Sequence, residues 1–131
     1  MTPELAAYVE AWLNKADHDL IAAQRVLEIE PMILDIGCFH CQQAAEKCLK
    51  AFLAWHNCDI EKTHNIIFLL SQCAAIDAIF ATIDAMDINA YAVQGRYPDD
   101  SLVPTYEEAK AYYQFAIKVR ELVVEKTIMS K

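Results

Sequence analysis

Apolar residues recur at steps of three and four along most of the chain, the period of helices with one buried face. Leu5, Trp12, Ala16, Leu20, Ala23 and Leu27 align on one side of a first helix, from Pro3 to about Ile29. Thr2 supplies a cap and Pro3 suits the first helical position. Pro31 interrupts, and a second helix follows from about Ile33 to His56, with Gly37 a weak point near its start. Its inner stripe is Cys41, Ala45, Cys48, Phe52 and Trp55, and Gln43, Glu46, Lys47 and Lys50 line a polar flank. Asn57-Cys58-Asp59 reads as a turn. Lys62-Thr63-His64-Asn65 opens a third helix, with Thr63 as the expected N-cap and His64 in the first turn, where free amides favour an anion. Ile66, Ile67, Leu69, Leu70 and Cys73 follow as expected core.

A fourth helix is expected from Ala75 or Ala78 to Val93, with Asp77, Asp84 and Asp87 on its wet side. Residues 94–100 break the pattern: Gly95 can end a helix, and Pro98 forces Tyr97 out of the helical region. Thr105 and Glu108 form a capping box for the last helix, whose stripe is Ala109, Tyr112, Ala116, Val119 and Val123. The expected fold is all-α, an up-and-down bundle of four to five helices forming a single domain over residues 1–131.

A chain of 131 residues buries roughly two-thirds of its unfolded surface and needs no disulfide or metal to fold. The net charge of −8 excludes non-specific nucleic-acid binding, yet 11 Lys and Arg are enough for one local cationic pocket. Five cysteines in no regular framework point to reduced thiols and a cytoplasmic protein, with Cys38 and Cys41 acting as small hydrophobes inside a helix. The N-terminus lacks the basic-then-apolar run of a signal peptide. Gln72, Asp77 and Asp84 make the stretch from Ile66 to Met86 too polar to span a membrane.

Candidate chemistry gathers on Lys47, Lys50, Lys62, His64 and Arg96, which together offer a phosphate site of ammonium groups, a guanidinium and a helix N-terminus. The plainer reading is that Lys47 and Lys50 solvate a helix face, Lys50 pairing with Glu46. Arg96 can bind phosphate or anchor its loop on Asp99 or Asp100, and Tyr97 can stack on a base or fill a gap between helices. No nucleophile and base occur in recognisable context, and there is no glycine-rich phosphate loop. His18, His40, His56 and His64 are scattered without the i,i+4 spacing of a helical metal site. No catalytic residue, metal or cofactor is therefore expected. Tyr113, Ile117, Leu122 and Val124 make the last helix apolar on further faces, which suits a homodimer through the first or last helix.

Three segments resemble the HEPN family of small all-α domains. Residues 43–51, Gln-Ala-Ala-Glu-Lys-Cys-Leu-Lys-Ala, resemble its Gln-Ala-x-Glu-Lys-x-x-Lys-Ala helix. Lys62-Thr63-His64-Asn65-Ile66 resembles its Lys-Thr-His-Asp-Leu helix start, and Arg96-Tyr97-Pro98-Asp99 its Arg-Tyr-Pro loop, with Tyr91 at the upstream aromatic position. The resemblance implies a four- or five-helix bundle, often homodimeric, often paired with a minimal nucleotidyltransferase as toxin and antitoxin, and proposed to bind nucleotides. HEPN ribonucleases carry an Arg followed after four to six residues by a His. Arg25, Arg96 and Arg120 have no His at that spacing, and Lys50 with His56 comes nearest. The expected function is thus a non-catalytic module binding a nucleotide, a small nucleotidyltransferase or both. Arg96, Lys62 and His64 would contact phosphate, Lys47 and Lys50 would set the field, and Tyr97 would stack on a base. The alternatives are a ribonuclease toxin using His64 in an atypical site, and a structural adaptor without ligand.

Overall fold

The computed structural model describes residues 2–92 and 103–127. Helix α1 (Pro3–Ile29) begins where Thr2 Oγ1 accepts from the Leu5 amide at 3.1 Å, with Pro3 opening the first turn. Its buried row is Val9, Leu13, Ala16, Leu20, Ala23 and Val26, with Leu5, Trp12 and Leu27 partly buried alongside. A 3₁₀ turn over Pro31–Ile33 leads into α2 (Leu34–Trp55). At Gly37 the two helices close in: a Cβ there would sit 3.0 Å from Val26 Cγ1. Helix α2 lies at the centre, against α1, α3 and α4, and buries Cys41, Ala45, Cys48 and Phe52 as its pattern predicts. It ends with Asn57 left-handed at φ 59° and the Cys58 amide donating to Leu53 O, closing the last carbonyls.

Helix α3 (Ile66–Ile76) starts later than the sequence predicts. Its N-cap is Asn65, whose Oδ1 accepts from the Phe68 amide at 3.1 Å, while Thr63 Oγ1 accepts from Asn65 N just upstream. The reason is tertiary. Asn89 Oδ1 takes the Ile66 amide at 2.8 Å and Asn89 Nδ2 donates to Asn65 Oδ1, so a residue far along the chain completes the cap. His64 consequently precedes the helix rather than occupying its first turn. Ile66, Leu69, Leu70 and Cys73 are buried, but Ile67, expected in the core, is 58% exposed.

No α-helix occupies the fourth expected segment within its described residues. Two 3₁₀ turns, Ala78–Thr82 and Ile88–Tyr91, stand there instead, separated by extended Ile83 and by Met86 at φ 56°. Asp77 and Asp84 explain the break. Each carboxylate accepts from the backbone amide two residues on, Ile79 at 3.1 Å and Met86 at 2.9 Å, diverting those amides from an i,i−4 ladder. The segment still buries Phe80, Ala85, Ile88 and Tyr91. The predicted break at Gln94, Gly95 and Pro98 lies outside the described residues.

Helix α4 (Tyr106–Lys126) opens with the predicted capping box, both Thr105–Glu108 bonds being 3.0 Å, and buries the whole predicted stripe. Arg120 ties it to α1 through both oxygens of Asp17. The fold is all-α, as expected, with four α-helices and no strand among the described residues. Among those residues no helix is long and apolar enough to cross a membrane.

Candidate functional site

The polar flank of α2 is not a wet face. Glu46 is 4% exposed and Lys50 6%, and Lys50 Nζ lies 2.9 Å from Glu46 Oε2. A buried carboxylate and ammonium hold their charges only when paired and hydrogen-bonded. Glu46 receives a second partner from the segment leading into α3, His64 Nδ1 at 2.9 Å from Oε1. Gln42, fully buried one turn earlier, donates to His64 O at 2.7 Å and reaches Glu46 Oε1 at 3.4 Å. Gln43 Nε2 donates in turn to Gln42 Oε1. Lys50 Nζ also lies 5.7 Å from the ring centre of Trp12 on α1. The row Gln42, Glu46, Lys50 thus links α1, α2 and the start of α3.

A second carboxylate repeats the arrangement. Asp19, on α1, takes Lys47 Nζ at 2.5 Å and His40 Nδ1 at 2.8 Å, both from α2. Desolvation works to raise this carboxyl, but hydrogen bonds from His40 and Lys47 and their charges outweigh it, leaving its pKa below the ordinary value. In each imidazole Nδ1 faces a carboxylate, an acceptor when ionised, so Nδ1 carries the proton and Nε2 is left for other partners. The two rings differ in access: the His64 side chain is 62% exposed, whereas that of His40 is mostly covered.

The structure therefore divides the predicted site between two carboxylates, Lys50 and His64 on Glu46 and Lys47 on Asp19, so both ammonium groups are already engaged. Lys62 is exposed two residues before His64 and makes no ion pair among the described residues. Arg96 and Tyr97 lie outside the described residues. Asp19, His40 and Gln42 had no place in the site expected from the sequence, where His40 read simply as a polar residue on a long helix. The available signal was Asp19 itself, a carboxylate set into the apolar row between Ala16 and Ala23.

The cysteines take no part. Cys38, Cys41, Cys48 and Cys73 are buried and unbridged, and burial pushes the thiols of Cys38, Cys48 and Cys73 up to about 12 and that of Cys41 higher still. No group of three or more His, Cys, Asp or Glu suited to a metal occurs among the described residues.

A helical bundle with two carboxylates paired between its helices, Asp19 on α1 and Glu46 on α2, the latter holding an exposed imidazole, is a small all-α domain with built polar groups inside it. The chain belongs to the HEPN family: a family model for the HEPN domain matches residues 9–127. The crystal structure of ST0689, an archaeal HEPN homologue, is similar over 90% of this chain and 96% of that one, with 24% identity and a TM-score of 0.63, which shows a shared fold. No curated protein matches the chain.

Proposed function

We propose that the chain is a single-domain, non-catalytic HEPN module that binds a nucleotide, or the nucleotide-bearing surface of a small nucleotidyltransferase, in a toxin–antitoxin-like pair. The observation carrying this reading is the His64–Glu46 contact: an exposed ring anchored at Nδ1 on a buried carboxylate, with Nε2 available and Lys62 beside it in the chain. When protonated, such a ring offers an Nε2–H, already oriented, to a phosphate oxygen. Arg96 would add a guanidinium and Tyr97 a stacking face. Lys47 and Lys50 act at one remove, balancing the charges of Asp19 and Glu46. Homodimerisation through α1 is supported by exposed Tyr8, Ile21 and Ile29 on that helix. Thermal melting with ATP tests the binding. A rise that disappears in Arg96→Ala and in His64→Ala is expected; no shift at about 1 mM with any nucleotide overturns the pocket.

The same contact favours a second reading, because a carboxylate-anchored imidazole is also the arrangement of a general base. That reading predicts RNA cleavage by the purified protein, abolished in His64→Ala. Intact RNA after prolonged incubation removes it.

A further inference from the structure

Helix α3 turns its buried face to the core and leaves an apolar edge beside it. Ile66, Leu69 and Cys73 are fully buried, and Leu70 and Ala74 at the margin of the core continue into exposed Ile67 and Ser71, a row at steps of three, one and three. That row is one wall of a groove of about 440 Å³. The other wall is the irregular segment after α3, with Phe80 and Ile83 as apolar floor and Met86 at the rim. Met86 is held in its left-handed conformation by the Asp84 carboxylate, which accepts from its amide. An unbranched thioether on such a rim adapts readily to a partner's shape. From Ile67 to Ala74 the row runs roughly 10 Å, two helical turns, the length over which a docked helix sets anchors at i, i+3 or i+4, and i+7.

Charge identifies the kind of occupant. Among the described residues, Asp84 is the only charged one lining this groove. Across Ile83, a second depression of about 270 Å³ adds Glu121 and Glu125 against Lys118. None of Asp84, Glu121 and Glu125 has a cation within ion-pair distance among the described residues, although Glu121 lies in the field of Arg120 and Asp84 accepts from the Met86 amide, so the rim stays acidic on balance. We propose that the groove between α3 and residues 80–86 docks an amphipathic helical segment of another protein, apolar on one face and flanked by lysine or arginine. A second copy of this chain is a poor occupant. Its exposed Ile29 stands between Glu28 and Glu30, which would face Asp84 with like charge. The proposal uses none of the residues assigned to nucleotide binding.

The test uses the ¹⁵N-labelled full chain and two synthetic helical peptides of equal length, both with leucine along one face. One is flanked by lysine and the other by glutamate. The lysine peptide is expected to shift the amides of Ile67, Ile83 and Met86, to bind about tenfold tighter than the glutamate peptide, and to weaken with added salt. Ile67→Asp, at an exposed position and checked for retained helicity, should abolish the shifts. Equal affinity for the two peptides, shifts confined to α1 or α4, or no shift at about 1 mM overturns the proposal. So does a wild-type dimer in sedimentation that Ile67→Asp separates, since the occupant is then a second copy.

Discussion

Glu46→Ala removes the carboxylate that Lys50 and the His64 ring share and leaves Lys50 buried with no anion. The stranded ammonium is expected to lower unfolding stability by about 3 kcal/mol. Replacing both partners, Glu46→Leu with Lys50→Met, should recover most of that loss, since neither charge then needs solvation; urea unfolding of the three proteins measures it. Asp19 gives a pH signature. Its carboxyl is depressed in the folded chain, so the stability it contributes is present above the unfolded value near pH 4 and is lost as pH falls through the folded one. Between about pH 6 and about pH 3, Asp19→Asn should therefore lose less stability than the wild type, although it starts lower. Neither role was legible in local spacing. Glu46 and Lys50 stand at i,i+4, the same spacing as any surface pair. What makes theirs a buried pair is Trp12, Gln42 and His64, which only tertiary packing brings to them.

At the scale of elements, ends set by neighbouring residues were legible and ends set from afar were not. Thr2, Asn57 and Thr105 with Glu108 place the limits of α1, α2 and α4 within a turn, because each satisfies backbone groups beside it. The start of α3 instead depends on Asn89, 24 residues beyond Asn65. Asn89→Ala removes a partner from the Ile66 amide and from Asn65 at once, and is expected to destabilise by about 1–2 kcal/mol; denaturant melts check it. The apolar spacing of residues 78–93 fits a helix, but the aspartates at 77 and 84 take the amides that helix requires. Gly37 had looked only like a weak point for α2. Its lack of a Cβ admits Val26, a β-branched side chain with little freedom to turn away. Gly37→Ala should thus destabilise by about 1 kcal/mol despite alanine's better helix propensity, and should become stabilising in a Val26→Ala background.

Across the whole molecule, the cysteines report how the bundle opens. Only Cys58 is exposed, and thiols raised to about 12 hold on the order of one thiolate in ten thousand at pH 8, so a thiol reagent reaches the other cysteines only through unfolding. Their positions differ in what must open. Cys38, Cys41 and Cys48 sit on α2, enclosed by α1, α3 and α4, so exposing them means dismantling the bundle. Cys73 sits on α3, a helix of 11 residues capped through the Asn65–Asn89 clamp, its thiol turned toward Leu49 O. Releasing that clamp detaches α3 and the 3₁₀ turns that follow while α1, α2 and α4 keep their shared core. Labelling in urea below the unfolding midpoint, resolved by mass spectrometry, should therefore modify Cys58 at once, Cys73 next, and the three α2 cysteines together at the rate of global unfolding. Asn89→Ala should speed Cys73 without bringing forward the α2 thiols by the same factor. If all four buried thiols react at one rate in both proteins, α3 is no separate unit, and the clamp stabilises the bundle as a whole.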